Sequence, residues 1–383
     1  MRRLYPATAN DYRELARRRL PGFLFDYIDG GAGAEQTLAA NVADYCRWQI
    51  RQRVLQDVTD VQTSTTLAGH ACALPLALAP IGLAGMMARR GEAVAACVAA
   101  AFGVPFTLST VGICALPEVR LASGKAPWFQ LYMLRDRGLV RALLDEAWAN
   151  DCRTLVFTVD LPVAGMRHRD TRHGLGGPGL RPAVNRLRQV LARPRWLWDV
   201  PVRGKPLTFG SLAGQVQAAR NLDAFKAWVD TQFDPAVVWR DIDWLRDCWK
   251  GQLLLKGIAE VDDARAAVRC GADGLVVSNH GGRQLDGTAS SITKLRPIAQ
   301  AIGGDCEVMV DGGVRGGSDI FKALALGARG VLIGRAWIWA LAGAGAVGLR
   351  ELLNGLQREL RVTMTLAGVT RIADIGERHL DGL

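Results

Sequence analysis

The sequence predicts an α/β barrel of eight parallel strands, the (β/α)8 or TIM-barrel class, with an N-terminal helical and extended cap and a long insertion after strand 4. Three observations carry this. From Ala73 onward, short apolar runs alternate with segments of helical periodicity, eight times over. Each run is apolar throughout instead of alternating, as expected of strands covered on both faces. No Gly-x-Gly-x-x-Gly follows the first run, which weighs against the other common arrangement, an open doubly wound sheet that binds a dinucleotide. The length of 383 residues would by arithmetic allow two or three domains, but barrels run long as one unit. The expected division is a cap over 1–72 and a barrel over 73–368, interrupted by an insertion over 169–237.

In chain order, the segment from Asn10 to about Gln36 reads as a helix, a turn at Pro21-Gly22 and a second short helix ending in the loop Asp29-Gly30-Gly31-Ala32-Gly33. Arg47 to about His70 reads as irregular and extended, a hairpin covering one end of something larger. The predicted strands are Leu74–Ala79, Pro105–Thr110, Trp128–Met133, Thr154–Asp160, Gln252–Ile258, Gly274–Asn279, Cys306–Asp311 and Gly330–Arg335. The predicted helices between and after them are Gly91–Phe102, Pro117–Ser123, Gly138–Asn150, Asp241–Trp249, Asp262–Gly271, Ser291–Ile302, Ser318–Gly327 and Gly345–Leu366. Arg169 to about Val237 is too long for an ordinary loop and is read as the insertion.

Composition bounds the rest. Apolar content of 49% and charged content of 22% are those of an ordinary globular chain. The formal charge of +10 is compatible with nucleic acid, an anionic membrane surface or acidic substrates, and by itself selects none of them. The eight cysteines are scattered without a Cys-x-x-Cys pair, so neither a disulfide scaffold nor a zinc ribbon is expected, and no metal site is. The N-terminus lacks the apolar core of a signal peptide. The uncharged run from Ala71 to Ala88 contains Pro75, Pro80, Gly82 and Gly85 and reads as strand plus loop, not as a membrane span.

In a barrel of this kind, chemistry sits at the carboxyl ends of the strands. Those ends carry Ala79-Pro80, Ser109, Gln130 with Tyr132, Thr158 with Asp160, Lys256, Ser278 with His280, Asp311 to Arg315, and Gly334-Arg335. Ser109, Gln130 and Thr158 are uncharged donors and acceptors suited to the edge of a flat polar heterocycle. Lys256 ends an apolar strand, as either a snorkelling side chain or a fixed cation that stabilises negative charge. Asp311-Gly312-Gly313-Val314-Arg315 and Gly334-Arg335 combine bare backbone N–H groups with two guanidiniums, a phosphate site. His280 and Arg283, three residues apart on a glycine-rich turn, pair a base with a carboxylate clamp. Asp160 is placed to orient the imidazole. Arg167 is either a second clamp or surface charge.

The stretch Ser278-Asn279-His280-Gly281-Gly282-Arg283-Gln284-Leu285-Asp286 resembles the signature of the FMN-dependent L-2-hydroxy-acid dehydrogenases and oxidases. Trp128 to Tyr132, Thr158-Val159-Asp160, Asp311 to Arg315 and Phe25-Asp26-Tyr27 are similar to other blocks of that family, and the likeness runs from about Tyr12 to the C-terminal helix. The resemblance implies bound FMN, with His280 as the base, Asp160 as its orienting acid, and Tyr27, Tyr132, Arg167 and Arg283 around the substrate. It implies Ala79, Pro80, Ser109, Gln130, Thr158, Lys256 and Ser278 around the flavin ring and ribityl chain. It places Asp311, Gly312, Gly313, Arg315, Gly334 and Arg335 about the phosphate. Carbanion and hydride routes are both compatible with a base at this position.

Gly82 stands where the family's oxidases tend to carry alanine, so the chain resembles the dehydrogenase branch, and the blocks around Ala88 to Glu92 and Tyr132 to Gly138 look most like bacterial respiratory L-lactate dehydrogenase. The alternatives are an (S)-mandelate dehydrogenase, a broader 2-hydroxy-acid oxidase and, more remotely, a non-redox FMN isomerase. The side-chain end of the pocket is expected from Val111 to Cys114, Val163 to Met166 and the insertion. That insertion carries Arg172, Arg181, Arg186, Arg188, Arg193, Arg195 and Arg203 with Trp196 and Trp198, which reads as a monotopic membrane contact or as a solvated basic lid. The resemblance implies a small 2-hydroxy acid as substrate, a quinone or other respiratory acceptor, a homotetramer, and a peripheral place on the cytoplasmic face of a bacterial inner membrane. Nucleic acid is not an expected partner, because basic residues and aromatics interleave only in the insertion.

Overall fold

The structure is a computed structural model that describes residues 5–173, 180–205, 207–210, 212 and 231–381; the predicted insertion falls partly outside these. Eight parallel strands form one sheet: β1 (Leu76–Leu78), β2 (Thr107–Ser109), β3 (Trp128–Tyr132), β4 (Thr154–Thr158), β5 (Gln252–Ile258), β6 (Gly274–Val277), β7 (Glu307–Asp311) and β8 (Gly330–Ile333). Neighbours in sequence are neighbours in space, β8 pairs with β1, and the ring closes where Leu78 donates its N–H to Pro105 O at 2.9 Å and bridges Phe106. The strands are mostly shorter than their apolar runs. Ser278 and Asn279, for example, leave the ladder at the end of β6 to take side-chain partners.

Alternation along the strands sorts the core into two layers. Ala77, Trp128, Val156, Leu254, Val276, Met309 and Leu332 fill the barrel interior, together with Leu67, Ala68 and Cys72 from the hairpin Thr65–Leu67/His70–Cys72. The hairpin plugs the amino ends of the strands: Ala68 N–H donates to the carboxylate of Glu307, the first residue of β7, at 3.0 Å. The outward residues Leu76, Leu78, Leu155, Phe157, Leu253, Leu255, Leu275 and Val277 pack under the helices. All of these are shielded from solvent, and truncating one leucine to alanine costs about 2–5 kcal/mol.

The covering helices are α1 (Ala9–Arg19), α2 (Gly22–Asp29), α3 (Gln36–Ala43), α4 (Gly91–Phe102), α5 (Leu116–Ser123), α6 (Arg137–Ala149), α7 (Leu180–Leu191), α8 (Trp239–Cys248), α9 (Val261–Arg269), α10 (Ser291–Ile302), α11 (Gly317–Ala325) and α12 (Arg335–Leu366). The last begins ten residues earlier than the periodicity predicts and is broken at Gly345, whose φ of 66° is left-handed. By length and apolarity α12 would pass for a membrane span, but Trp337, Leu341, Leu349, Leu353 and Leu360 are buried, and it is a core helix. A Cβ on Gly343 would come within 2.7 Å of Leu15 Cβ, so the missing side chain is what lets α1 lie against α12.

Candidate active site

The carboxyl ends of the strands open into a cavity of about 770 Å³. Its wall includes Tyr27, Ala79, Pro80, Tyr132, Thr158, Arg167, Lys256, His280, Arg283, Asp311, Gly312, Gly313, Arg315, Gly334 and Arg335. Asp160, Ser109, Gln130 and Ser278 stand behind that wall, each bonded to a residue on or next to it. The structure therefore brings every residue singled out above to one rim.

His280 sits three residues past the end of β6 in the left-handed region, φ 57°, an uncommon place for a side-chain-bearing residue. The turn is held from outside by a reciprocal amide pair. Asn41 on α3 and Asn279 exchange hydrogen bonds of 2.8 and 2.9 Å, and Asn279 Oδ1 also accepts Gly282 N–H at 3.1 Å. His280 Nδ1 lies 2.8 Å from Asp160 Oδ1. An ionised carboxylate only accepts, so Nδ1 carries the hydrogen and Nε2 keeps a lone pair. Burial pushes the imidazole below its ordinary range, with Lys256 and Arg283 adding to this and Asp160 opposing it; it is neutral near pH 7. Burial would raise the Asp160 carboxyl, but His280 and Lys256 outweigh it and hold the acid ionised.

Lys256 is buried on β5, where its ammonium donates to Ser278 Oγ at 3.0 Å and pairs with Asp311 at 3.0 Å. Burial alone would lower the ammonium; Asp311 and Asp160 reverse the sign and keep it charged. Next to it, the Gln130 side chain accepts from Ser109 Oγ at 3.0 Å and donates to Thr158 Oγ1 at 3.2 Å, a rigid polar strip across β2, β3 and β4. Asp311 Oδ1 and Asp160 Oδ2 are buried oxygens without a partner among the described residues.

Three guanidiniums make the cavity an anion trap. Arg283, Arg315 and Arg335 form no ion pair with a carboxylate among the described residues; their side-chain hydrogen bonds run to main-chain oxygens of Tyr27, Asp29, Gly30, Gly281 and Val314. Burial, then repulsion from Arg167, pushes Arg283 down to about 10, and burial does the same to Arg315. Burial first, then Arg283 and Arg315, also push Arg335 well below the ordinary guanidinium range. Asp170, Asp319, Asp29 and Glu35 act on these three only at a distance, and a guanidinium keeps its proton at neutral pH. Gly334 leads into α12, where a Cβ would meet nothing nearer than Ala79 at 3.9 Å, and so leaves bare N–H groups at a helix start. A Cβ on Gly281 would lie 2.7 Å from Arg335 Nη1, so that glycine makes room for the guanidinium. Gly313, at φ 85°, lies so close to Asn41 O that a Cβ there would overlap it.

Beside this cationic end lie Tyr27 and Tyr132. Arg283 and Arg167 stand 5.1 and 6.0 Å from the Tyr27 ring centre, and burial, with Asp160 and Tyr27, raises the Tyr132 hydroxyl so that it remains a donor. The opposite end is apolar: Phe23, Met86, Val111, Val190, Phe209 and Phe233 line it with Ala164, Gly165 and Met166. Val111 to Cys114, Val163 to Met166 and the insertion were expected there from sequence; Val111, Ala164 to Met166 and Val190 of α7 line the wall, whereas Gly112 to Cys114 and Val163 do not. Phe23 was not expected; Phe233, at the end of the insertion, is brought in by a short antiparallel bridge to Leu134 and rests 5.3 Å from the Tyr132 ring. Trp196, read with Trp198 as a surface aromatic, is instead an anchor: it is buried and donates to Met86 O at 2.8 Å, while Trp198 is exposed.

A neutral imidazole with a free nitrogen, and three guanidiniums around one polar strip, are the surroundings a flavin-mononucleotide oxidoreductase needs. The family model described as FMN-dependent dehydrogenase matches residues 16–382, and the chain belongs to that family. It is an FMN-dependent enzyme. Among its relatives, the L-lactate dehydrogenase of Caulobacter vibrioides (strain NA1000 / CB15N) is 54% identical over 374 residues, covering 98% of this chain and 97% of that one. The L-lactate dehydrogenase of Xanthomonas axonopodis pv. citri (strain 306) is 50% identical over 369 residues, 96% and 95% of the two chains. Among solved structures, the monotopic membrane protein (S)-mandelate dehydrogenase superposes with a TM-score of 0.93 at 32% identity, covering 99% and 100% of the two chains. A mandelate oxidase with (S)-4-hydroxymandelic acid gives 0.85 at 38% identity, 98% of each chain. The unpaired arginines, the bare glycines and the unpartnered Asp311 oxygen fit the phosphate and polar ring of FMN.

Proposed function

We propose that this enzyme oxidises L-lactate to pyruvate and delivers the electrons to a quinone or similar carrier of the respiratory chain. The observation that carries the reading is the meeting of the His280–Asp160 pair with Arg167, Arg283, Tyr27 and Tyr132 in the cavity that also holds Lys256 and the cationic cradle. Bound FMN supplies a two-electron acceptor beside the substrate. Arg283 and Arg167 grip the carboxylate, and the two tyrosine hydroxyls fix the oxygens of the hydroxy acid. His280 takes a proton from the substrate on Nε2, and Asp160 steadies the imidazolium that results. The Lys256 ammonium offsets negative charge that develops next to the polar strip formed by Ser109, Gln130 and Thr158. Arg315, Arg335 and the backbone of Gly312, Gly313 and Gly334 hold the phosphate, Ala79 and Pro80 support the ring, and Asp311 and Ser278 hold Lys256 in place.

A second reading, (S)-mandelate or a longer 2-hydroxy acid as the preferred substrate, is favoured by the aromatic far wall of Phe23, Phe209 and Phe233. Anaerobic stopped-flow flavin reduction with L-lactate, glycolate, (S)-mandelate and 2-hydroxyoctanoate decides between them. Fastest saturating reduction by L-lactate is expected; faster reduction by mandelate replaces the first reading with the second.

The insertion supports a peripheral place on the cytoplasmic face of the inner membrane. On α7, Leu180, Val184, Leu187 and Leu191 form an exposed apolar stripe at helical spacing, with Arg181 and Arg188 beside it and Trp198 and Val202 exposed beyond. Co-flotation with anionic vesicles is expected, and loss of flotation on changing Leu187 and Leu191 to glutamate, with flavin retained, is the check. Homotetramer formation, the assembly that the family resemblance implies, is read by light scattering.

A further inference from the structure

The end of α2 and the loop after it, residues 26–35, receive four guanidiniums from two sides. From the cavity, Arg283 Nη1 donates to Tyr27 O at 2.6 Å and to Gly30 O at 2.9 Å. Arg335 donates to Asp29 O at 3.1 Å and to the same Gly30 O at 2.8 Å. One carbonyl thus seats both the arginine assigned to the substrate carboxylate and an arginine assigned to the cofactor phosphate. From the outside, Arg13 donates to both oxygens of Asp29 at 2.5 and 2.7 Å. Arg169 donates Nη1 to Asp29 at 2.9 Å and Nη2 to Glu35, clipping one end of the loop to the other. Glu35, in the left-handed region at φ 65°, returns a bond by accepting Gly31 N–H at 2.9 Å.

Arg169 also leaves its own backbone two positions beyond Arg167, so it ties the exit of β4 to the same shelf. Its aliphatic stem closes over Gly30, where a Cβ would come 3.3 Å from Arg169 Cδ. Asp29 is almost wholly buried; burial would raise its acid, but Arg13 and Arg169 outweigh it and keep the carboxylate ionised. Arg13 engages both oxygens of Asp29 by itself, so what Arg169 adds is the join from Asp29, with Asp26 3.7 Å away, to Glu35. That join sets the height of the Gly30 carbonyl from which Arg283 and Arg335 both hang.

We propose that Arg169 is a positioning residue for both anion sites, and that the shared Gly30 carbonyl couples carboxylate binding to phosphate binding. The proposal rests on the reading above of Arg283 as substrate clamp and Arg335 as phosphate ligand. Coupling is reciprocal: if FMN, by fixing Arg335 on the Gly30 carbonyl, also fixes Arg283 for the carboxylate, then a bound carboxylate tightens FMN by the same factor.

The test compares the purified holoenzyme with Arg169→Ala. Expected are a KM for L-lactate about tenfold higher with kcat changed by less than about threefold, and an FMN dissociation constant, from release on ultrafiltration, about tenfold higher. Pyruvate should slow FMN release from the parent and have a weaker effect on the variant, a signature that loosened packing alone would not produce. Arg169→Lys, which reaches one acid but not both, should recover part of each change. A change in KM without a change in FMN retention, or the reverse, overturns the proposal, as does a fall in kcat at unaltered KM. If Arg169→Ala does not fold, Glu35→Gln leaves Asp29 fully paired and should move both constants the same way by about threefold; unmoved constants overturn the proposal equally. A parent that retains FMN but is reduced by no 2-hydroxy acid would remove the functional reading, and this inference with it. An active parent with an unaltered variant removes this inference alone.

Discussion

Two aspartate–histidine pairs of nearly equal length stand in different parts of the molecule. Asp160 and His280 meet at 2.8 Å on the strand ends, and Asp26 and His173 meet at 2.9 Å between α2 and the start of the insertion. The first histidine is held in a left-handed turn by the Asn41–Asn279 pair, its ring is 20% exposed, and Lys256 and Arg283 bear on it. The second has ordinary backbone at φ −91°, is 41% exposed, and has Gln189 Oε1 3.5 Å from its other nitrogen. Burial, against the pull of His173 and Arg169, raises the Asp26 acid, whereas that of Asp160 is lowered. The same two side chains therefore sit in a setting that suits a base in one place and a tether in the other. Neighbouring charge and a fixed backbone separate the roles, and the length of the hydrogen bond does not.

The sharpest way to break the comparison is His280→Gln, expected to lower turnover about 10³-fold or more while the protein stays yellow; near-normal turnover would remove the base from His280. Asp160→Ala should lower kcat about 10²-fold, since the imidazole loses its tautomer and its counter-charge. If kcat holds and only stability changes, Asp160 is a tether like Asp26. A pH series comes next. Protonation of His280 removes the base, and its value is depressed from 6.5, so kcat/KM should stay high through neutrality and fall only as pH drops through a midpoint below 6.5. A midpoint above 6.5 would mean that the Asp160 carboxylate outweighs burial. The smallest effect is that of His173→Gln. Turnover should stay near that of the parent and stability should fall by about 0–1 kcal/mol, as for a solvent-screened pair, read as a small shift in thermal midpoint. A large loss of turnover would make the two pairs alike.

Much of the first pair was legible in the chain, and the second was not, for a physical reason. Strand ends announce themselves as apolar runs that stop, and a barrel collects all eight ends on one rim, so Ser109, Gln130, Thr158, Lys256 and His280 could be gathered without any knowledge of contacts. Asp26 and His173 belong to a helix and an insertion whose relative placement no periodicity encodes. The same holds for the Gly30 carbonyl, since a main-chain acceptor leaves no mark on residue type. The first turns of α12 were missed differently. The expected helix begins only at Gly345, whereas Gly343 lies against Leu15, Ala16 and Tyr12 of α1, a tertiary contact that no local pattern shows.

The hairpin that stoppers the amino ends of the strands has a kinetic consequence. With Leu67, Ala68 and Cys72 wedged into the barrel's interior layer, nothing can thread through the axis to or from the chamber at the far rim. Among the described residues the chamber opens at that far rim, so hydroxy acid, keto acid and oxidant are expected to share it and to take turns there. Steady-state plots at several oxidant concentrations should then give parallel lines.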